Sequence, residues 1–280
     1  MKNYSANLNF VNTNLKDIIE LRGISQSYDK GKTFIIKDLN LLIEDKPNQG
    51  QFVVILGVSG CGKSTLLRYI SGLQQPTEGK VFIKEQERNE SHRIGMVFQQ
   101  YSSFPWLSVI DNVALGLKYK GFSKKERYAK AREIIQLVGL EGQEQKYAKY
   151  PNLSGGQLQR VAIARNLVSD PEILLMDEPF GALDINTRLK MQDLLCDIWL
   201  KLQTTIIFVT HDIPEAVYLG DEIYMLRANP AKIVDKVAID LPLERNRNTK
   251  REKRFMELVY EIEDRMINIQ NFMDREQVNS

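Results

Sequence analysis

The sequence lacks any apolar run that approaches the roughly eighteen residues needed to span a bilayer. Its 280 residues begin with a polar, asparagine-rich stretch, so we also expect no secretory signal. These absences exclude the chain itself as a membrane-spanning protein. If the protein works at a membrane, we expect another subunit to do the spanning.

Cysteine and net charge are scarce as well. The two cysteines, Cys61 and Cys196, lie far apart without metal-ligand spacing, which favours a reduced, cytosolic setting. The net charge is only +2 with 26% charged residues, so charge alone indicates neither a nucleic-acid ligand nor an acidic partner. With 43% hydrophobic residues, the chain is able to bury a full core.

Apolar patterns divide the chain into parts. Alternation between residues 18 and 44 predicts a half-exposed antiparallel sheet. Later runs are apolar on both faces, as in a parallel sheet covered by helices; they are residues 52–56, 94–98, 173–176 and 206–209. Residues 101–168 contain no strand-like run, and helical periodicity over residues 124–140 predicts an inserted helical subdomain. Strand candidates at residues 222–226 and 232–239 precede an amphipathic helix predicted over residues 250–269.

Each of the four apolar runs ends at residues capable of phosphate chemistry. They are Gly57 and Lys63, Gln99, Asp177 and Glu178, and His211. Ligand sites in open α/β sheets lie beyond the carboxyl ends of the strands. The sequence therefore predicts that these side chains share one edge of the parallel sheet.

The segment after the first run fits the phosphate-binding pattern G-x-x-x-x-G-K-[ST], and a helix predicted over residues 64–71 follows it. Its glycines let backbone N–H groups close around the β- and γ-phosphates, its lysine offsets their charge and its hydroxyl binds Mg²⁺. An incidental Gly- and Ser-rich turn would not explain the strand and helix on either side. We expect the nucleotide on Gly57, Ser59, Gly60, Cys61, Gly62, Lys63 and Ser64, with a contact from Thr65 to the α-phosphate. Because it lies at a helix start, the Cys61 thiol is expected to have a lowered pKa, without a catalytic role.

Asp177 and Glu178 are adjacent carboxylates at a strand end beside the phosphate loop. We expect Asp177 to hold Mg²⁺ and Glu178 to polarise the attacking water as general base. The alternative is a solvated acidic pair, which is weaker in this context. Gln99 and His211 are weak signals alone. Their shared edge suggests that Gln99 reaches Mg²⁺ or the water and that His211 hydrogen-bonds the γ-phosphate.

A second helix start with free backbone N–H groups occurs at Leu153-Ser154-Gly155-Gly156-Gln157, before a helix predicted over residues 157–168. Because the chain already has a phosphate loop, this second anion site predicts a nucleotide held by another copy of the chain. Asp184 follows Glu178 closely. It is expected at the seam of such a dimer, as the N-cap of the next helix, or as both.

These motifs, in this order, resemble the ATP-binding cassette family, in which residues 153–157 are the signature motif. The resemblance covers roughly residues 17–240 and implies an ATPase that uses ATP and Mg²⁺. It implies an α/β fold of the P-loop NTPase (RecA-like) type, with a parallel-sheet core, an N-terminal antiparallel β subdomain and a helical insertion at about residues 101–168. It also implies a head-to-tail dimer that holds each ATP between one copy's phosphate loop and the other copy's signature. Tyr28 would then stack on adenine, although a lone tyrosine in a strand is more often a packing residue.

A finer resemblance, to the ATPase subunits of bacterial nitrate, sulfonate and taurine importers, rests on residues 104–113, 178–184, 197–199 and 211–219. It implies a peripheral position on the cytoplasmic side of the inner membrane, a membrane permease, indirectly a solute-binding protein, and no nucleic-acid partner. Phe104 and Trp106 then line the groove that receives the permease, or else they are core residues. Asn166 departs from the family's usual alanine, and Leu158 is unusual in being apolar.

Three parts are expected along the chain: a flexible tail at residues 1–16, the ATPase domain at 17–240 and a charged helical extension at 241–280. The extension is a packing helix, a dimer contact or a permease contact. An alternative function is a soluble cassette ATPase that acts on a ribosome or nucleic acid. Such proteins usually carry two cassettes or a long coiled-coil insertion, and this sequence has neither. A P-loop kinase or another NTPase would leave residues 153–157 unexplained.

Overall fold

The computed structural model describes residues 17–278 apart from residues 30, 47–49 and 203, so the predicted tail at residues 1–16 lies outside the described residues. The strands are β1 Asp17–Ser27, β2 Phe34–Glu44, β3 Phe52–Leu56, β4 Glu78–Ile83, β5 Gln86–Glu87, β6 Ile94–Val97, β7 Ile173–Asp177, β8 Thr205–Thr210, β9 Glu222–Arg227 and β10 Lys232–Ala238. The helices are α1 Lys63–Ser71, α2 Val109–Tyr119, α3 Lys124–Leu137, α4 Gly155–Leu167, α5 Ile185–Leu202, α6 Ile213–Leu219 and α7 Lys253–Val278, with a 3₁₀ turn at Thr249–Arg251.

The alternating N-terminal segments form an antiparallel sheet, as predicted. Its strand order is β2-β1-β4-β5, with β1 paired antiparallel to both β2 and β4. Alternation persists in β2, where Leu39, Leu41 and Ile43 are buried between more exposed neighbours. The buried residues therefore lie on one apolar face of this sheet, and that face packs toward the second sheet.

The continuous apolar runs form a six-stranded sheet in the order β10-β9-β3-β8-β7-β6. Its strands are parallel except for β10, which pairs antiparallel to β9. Alternate residues of β3 enter two different apolar clusters. Phe52 and Val54 face the cluster that includes α2 and α4 to α7, whereas Val53 and Ile55 face α1 and the antiparallel sheet. Burial on both faces explains why these strands are apolar throughout, and the predicted fold class is confirmed.

The chain between β6 and β7 forms three helices, α2, α3 and α4, which pack on one another and account for the helical pattern of this region. Ser123 and Glu126 form a reciprocal capping box at the start of α3. The helix ends at Leu137, three residues before the predicted end, because Gly139 adopts a left-handed φ of 65°. Among the residues described, no helix combines the length and apolar character required to cross a membrane.

The hydrogen bonds of Asn166 to the edge strand β6 and to its own helix give a structural reason for an asparagine where the family usually has alanine. The Met96 N–H donates to Asn166 Oδ1 at 2.9 Å, and Asn166 Nδ2 donates to Ala162 O at 2.9 Å. The side chain therefore bonds both its own helix α4 and the sheet edge.

The C-terminal extension packs against the larger apolar cluster. Helix α7 begins and ends later than predicted, and its first half buries Phe255, Leu258, Val259 and Ile262. The packing interpretation of the extension is therefore confirmed for this half. The boundary at residue 240 stays a prediction.

A buried arginine precedes this helix. Arg245 Nη1 donates to Tyr218 O at 3.0 Å and Gly220 O at 2.9 Å, and Nη2 donates to Asp221 Oδ1 at 3.0 Å. The other oxygen of Asp221 accepts the Phe52 N–H at 3.0 Å. The extension is thus tied to the first residue of β3.

Candidate nucleotide site

The loop between β3 and α1 has the backbone of a phosphate cradle. Gly60 and Gly62 have φ of 77° and 102°, in the left-handed region that favours glycine. A Cβ on Gly57 would lie 2.6 Å from Leu226 O, so β9 leaves no space for a side chain there. The first turn of α1 directs free N–H groups toward this loop, which favours an anion.

Lys63 lies across the loop and is almost fully buried. Its Nζ donates to Gly57 O at 2.9 Å and to Val58 O at 3.0 Å, and lies 3.3 Å from Glu178 Oε1. The ammonium is therefore held among the loop carbonyls, where it is able to offset phosphate charge.

Ser64, in the first turn of α1, and Asp177, at the end of β7, place two oxygen-bearing side chains side by side. Ser64 Oγ donates to Asp177 Oδ1 at 2.7 Å. Burial raises the pKa of Asp177 above its ordinary value, and the hydrogen bond from Ser64 opposes that shift. Hydroxyl and carboxylate oxygens are the ligands that Mg²⁺ prefers, so these residues fit the predicted ion. When bound, the ion would neutralise phosphate charge at this point.

Glu178 stands between the lysine and a histidine. It has a φ of 41°, an uncommon conformation for a residue with a side chain. Its Oε2 lies 3.1 Å from His211 Nδ1, while its Oε1 faces Lys63. The parallel pairing of β7 with β8 sets Asp177 opposite Val209, which brings the two strand ends together. The structure thus brings Lys63, Ser64, Asp177, Glu178 and His211 to one edge, as predicted from the runs that precede them.

Gln99 lies near the turn that follows Glu178, and Asp184 comes directly after that turn. Gln99 is exposed, and its Nε2 lies 3.7 Å from where a Cβ on Gly181 would be. Asp184 Oδ1 accepts the Thr187 N–H at 3.0 Å, and hydrogen bonds from the side chain and then the backbone of Thr187 lower the pKa of Asp184. The N-cap interpretation of Asp184 is confirmed; its place at a dimer seam stays a prediction.

The signature segment begins α4 two residues earlier than predicted. Ser154 Oγ accepts the Gln157 N–H at 3.3 Å, and Gln157 Oε1 accepts the Ser154 N–H at 2.9 Å. A Cβ on Gly156 would lie 2.5 Å from Thr187 Cγ2, so α5 leaves no space for a side chain. The first turn of α4 retains free N–H groups beside these glycines. The predicted anion site would therefore use the backbone of a helix start at which Gly155 is half-buried and Gly156 is buried.

Comparison with known proteins decides the family. Residues 38–181 match the ABC transporter family. The chain belongs to that family. The nitrate import ATP-binding protein NrtD of Synechocystis sp. is 46% identical over 76% of this chain and 78% of its own. The aliphatic sulfonates import ATP-binding protein SsuB of Bacillus subtilis is 46% identical over 78% of this chain and 82% of its own. A dimeric ATP-binding cassette in a post-hydrolysis state, bound to ADP and Pi, is 34% identical with a TM-score of 0.67, over 80% of this chain and 100% of that one.

The ABC transporter assignment confirms three of the predictions. The fold is that of an ABC ATPase, the nucleotide is ATP with Mg²⁺, and the reaction is hydrolysis of ATP. The role of each site residue in this ABC ATPase stays a prediction and is taken up as a proposal below.

Two expectations about single residues in this ABC ATPase need revision. The predicted lowering of the Cys61 pKa is wrong: Cys61 is buried in the core, and burial raises the pKa more than Lys63 lowers it. Tyr28 follows β1 and does not lie within it. Its ring is 68% exposed, and its hydroxyl accepts a hydrogen bond from Gln74 Nε2 at 3.2 Å. This exposure contradicts the packing interpretation, whereas stacking on adenine stays a prediction.

Trp106 is 67% exposed, so the interpretation of this residue as core is wrong. The half-buried Phe104 ring lies 5.2 Å from the Trp106 ring between centroids, and the Arg165 guanidinium lies 4.5 Å above Phe104. Asn112 Nδ2 donates to Phe104 O and Leu107 O, which holds this segment at the start of α2. The two aromatic residues therefore form a surface feature.

The sequence reasoning missed the residues that hold the backbone of His211. Thr210 Oγ1 donates to Glu215 Oε2 at 2.6 Å and accepts the Asp212 N–H at 3.0 Å. The spacing of Asp212 and Glu215 predicts a capping box, in which the glutamate returns to the N-cap N–H. Asp212 does cap α6, but the Glu215 carboxylate contacts Thr210 instead. No local sequence pattern predicts the contact between Glu215 and Thr210.

Proposed function

We propose that this ABC ATPase powers the import of nitrate, an aliphatic sulfonate, taurine or a similar small solute. The names of the nitrate and sulfonate relatives support this function. The ATPase would work as a dimer on a membrane permease, at the cytoplasmic side of the inner membrane. A solute-binding protein would deliver the solute to that permease.

The observation that carries the proposal is the position of the Glu178 carboxylate. It lies 3.3 Å from Lys63 Nζ and 3.1 Å from His211 Nδ1, beside the phosphate loop. A carboxylate held between two cationic or polar nitrogens is oriented to accept a proton from a water that attacks the γ-phosphate. His211 then hydrogen-bonds the γ-phosphate and registers its loss.

The remaining site residues would bind the nucleotide. The loop N–H groups and Lys63 hold the β- and γ-phosphates, and Thr65 contacts the α-phosphate. Ser64 and Asp177 hold Mg²⁺, and Gln99 reaches the ion or the attacking water. Tyr28, whose ring is exposed, would stack on adenine.

The signature segment would serve the nucleotide of a second copy. The N–H groups of Gly155 and Gly156 lie at the start of α4, and the Ser154 hydroxyl stands beside them, so all three residues would contact a partner's γ-phosphate. The dimeric relative bound to ADP and Pi supports assembly as a dimer, and the head-to-tail arrangement is part of the proposal. Asp184, at the N-cap of α5, would lie at the seam.

The permease would bind beside the helical insertion. Trp106 offers an exposed ring there, and Asn112 fixes the segment that carries it. Large aromatic side chains of this kind are enriched at the centres of protein interfaces.

The residue roles are tested by replacing Glu178 with glutamine. Glu178→Gln retains the shape of the side chain but removes the base, so turnover should fall at least about 100-fold. Binding of ATP should persist, and an ATP-bound dimer should accumulate. The control is Glu141→Gln, on the exposed surface of the helical insertion, which should keep the wild-type rate. Turnover of Glu178→Gln at the wild-type rate would contradict the base assignment.

The importer role is tested by purification from the native host membrane. A co-purifying multi-spanning permease supports import. Recovery of the chain with ribosomal or nucleic-acid material would overturn it in favour of a soluble cassette ATPase.

A further inference from the structure

A series of polar contacts joins the C-terminal extension to the strand end that carries His211. Lys250 Nζ donates to Gln192 Oε1, and Gln192 Nε2 donates to Glu215 Oε1 at 2.9 Å. The second oxygen of Glu215 accepts the Thr210 hydroxyl at 2.6 Å. Gln192, Glu215 and Thr210 are all buried, so water does not replace these bonds readily. We name Lys250, Gln192, Glu215 and Thr210 the buried relay.

The buried relay ends on the backbone around His211. The Thr210 hydroxyl donates a hydrogen bond to Glu215, so a lone pair of the same hydroxyl oxygen is available to accept the Asp212 N–H at 3.0 Å. Thr210 and Asp212 are the two neighbours of His211, so this hydroxyl links the backbone on both sides of the histidine. The orientation of the imidazole toward Glu178 therefore depends on where Glu215 holds the hydroxyl.

Lys250 fixes the direction of the relay. Its ammonium is half-buried and lies 3.9 Å above the Tyr218 ring, in addition to its bond with Gln192. An ammonium has only donors, so the Gln192 amide must turn its oxygen toward Lys250 and its NH₂ toward Glu215. Without Lys250, the amide is free to rotate and to present its oxygen to the buried carboxylate. Glu215 would then lose a donor and shift, because an unsatisfied buried carboxylate is costly.

We propose that Lys250 is a positioning residue for ATP hydrolysis, which acts through Gln192, Glu215 and Thr210 to hold His211 against Glu178. The inference rests on the proposed function, since it assumes that His211 and Glu178 work on the γ-phosphate. It assigns a catalytic consequence to the extension, whose buried apolar residues and Arg245 otherwise anchor it to the domain.

The test compares Lys250→Met with two other variants of the full chain. Lys250→Arg retains a donor to Gln192, whereas Lys253→Met removes a lysine that is 92% exposed and pairs with Glu257 on its own helix. Substitutions within a coupled network of this kind change rates by about two- to thirtyfold. We expect kcat for ATP to fall about three- to tenfold in Lys250→Met, with the KM for ATP unchanged. Lys250→Arg should recover most of the loss, and Lys253→Met should match the wild type.

A second readout does not depend on turnover. The chain has only two histidines, His92 and His211, so selective labelling gives two imidazole signals in an NMR spectrum. Lys250→Met should shift the His211 signals and leave those of His92 in place. Gln192→Leu interrupts the buried relay at its middle and should shift His211 in the same way.

Two results would overturn the inference. One is a Lys250→Met protein with lowered thermal stability but wild-type kcat and unshifted His211 signals, which would make Lys250 an anchor only. The other is a shift of His211 in Lys250→Met that Gln192→Leu does not reproduce. If the proposed function itself is wrong, the results differ from these. Glu178→Gln and His211→Ala would then retain ATP turnover, whether or not Lys250→Met shifts the His211 signals.

Discussion

Replacing Arg245 by methionine should destabilise this ABC ATPase by about 4 kcal/mol, within the roughly 3–5 kcal/mol expected when one partner of a buried ion pair is removed. Methionine fills most of the volume of the arginine stem but donates no hydrogen bond. Of its described side-chain hydrogen bonds, the Asp221 carboxylate would keep that from the Phe52 N–H, and Tyr218 O, Gly220 O and Pro242 O would each lose the arginine as a donor. An unpaired buried acceptor costs about 1–3 kcal/mol unless water reaches it, and these costs are part of the loss of about 4 kcal/mol.

The matched control lies two residues away. Arg247 Nε bonds Asp193 Oδ2 at 3.2 Å, but its side chain is mostly exposed. Arg247→Met should therefore cost less than about 1 kcal/mol. Urea unfolding of the wild type and both variants gives the free energies, with an unchanged m-value as the check that the folded state is intact.

The pH dependence of the Arg245→Met loss follows from Asp221. Burial raises the pKa of this carboxyl above its usual value of 3.8, and Arg245 opposes the shift. A carboxyl with a raised pKa in the folded state stabilises the fold below its unfolded pKa, and this contribution is lost as the pH rises through the folded pKa. Without Arg245 the pKa rises further, so the loss should be full near neutral pH and should shrink toward about pH 4.

Two results would refute this reasoning. A loss for Arg245→Met no larger than that for Arg247→Met would mean that the buried pair does not anchor the extension. A loss that grows as the pH falls would mean that the unpaired Asp221 carboxylate is not its cause.

Two further predictions concern the nucleotide site. Chains with Ser154→Arg and chains with Lys63→Ala should each lose ATPase activity. A mixture of the two should recover part of the activity, because one site of the mixed dimer carries both substitutions and the other site carries neither. No recovery on mixing would count against the in-trans arrangement. Alkylation of Cys61 near neutral pH, followed by mass spectrometry, should be slower than that of free cysteine, because burial raises its pKa; modification faster than free cysteine would restore the original expectation of a lowered pKa.

The sequence predicts the parallel sheet and its functional edge because both follow from local patterns. Strands such as Phe52–Leu56 are apolar on both faces, and the residues just beyond them carry the chemistry. Helix ends were less exact. The glycines at 155 and 156 suggested a start at residue 157, but the Ser154 capping box already begins α4 at Gly155.

Contacts between distant parts of the chain were beyond the sequence alone. The pKa of Cys61 depends on its burial in a core that local helix chemistry does not reveal. The bond between Lys250 and Gln192 spans 58 positions, and no periodicity relates the two residues. Arg245 was part of a stretch that we interpreted only as charged, although its side chain is almost fully buried. Such pairings depend on tertiary packing, which composition and spacing do not encode.

The Asn166 side chain has a consequence for association between chains. Edge strands present unpaired N–H and C=O groups that another chain is able to pair with, and β6 is such an edge. The Met96 N–H of β6 already donates to the side-chain oxygen of Asn166 in α4, so it is not available to hydrogen-bond an added strand. An alanine at this position would leave that donor open. The asparagine therefore removes one of the backbone donors through which a further strand would extend the sheet at β6.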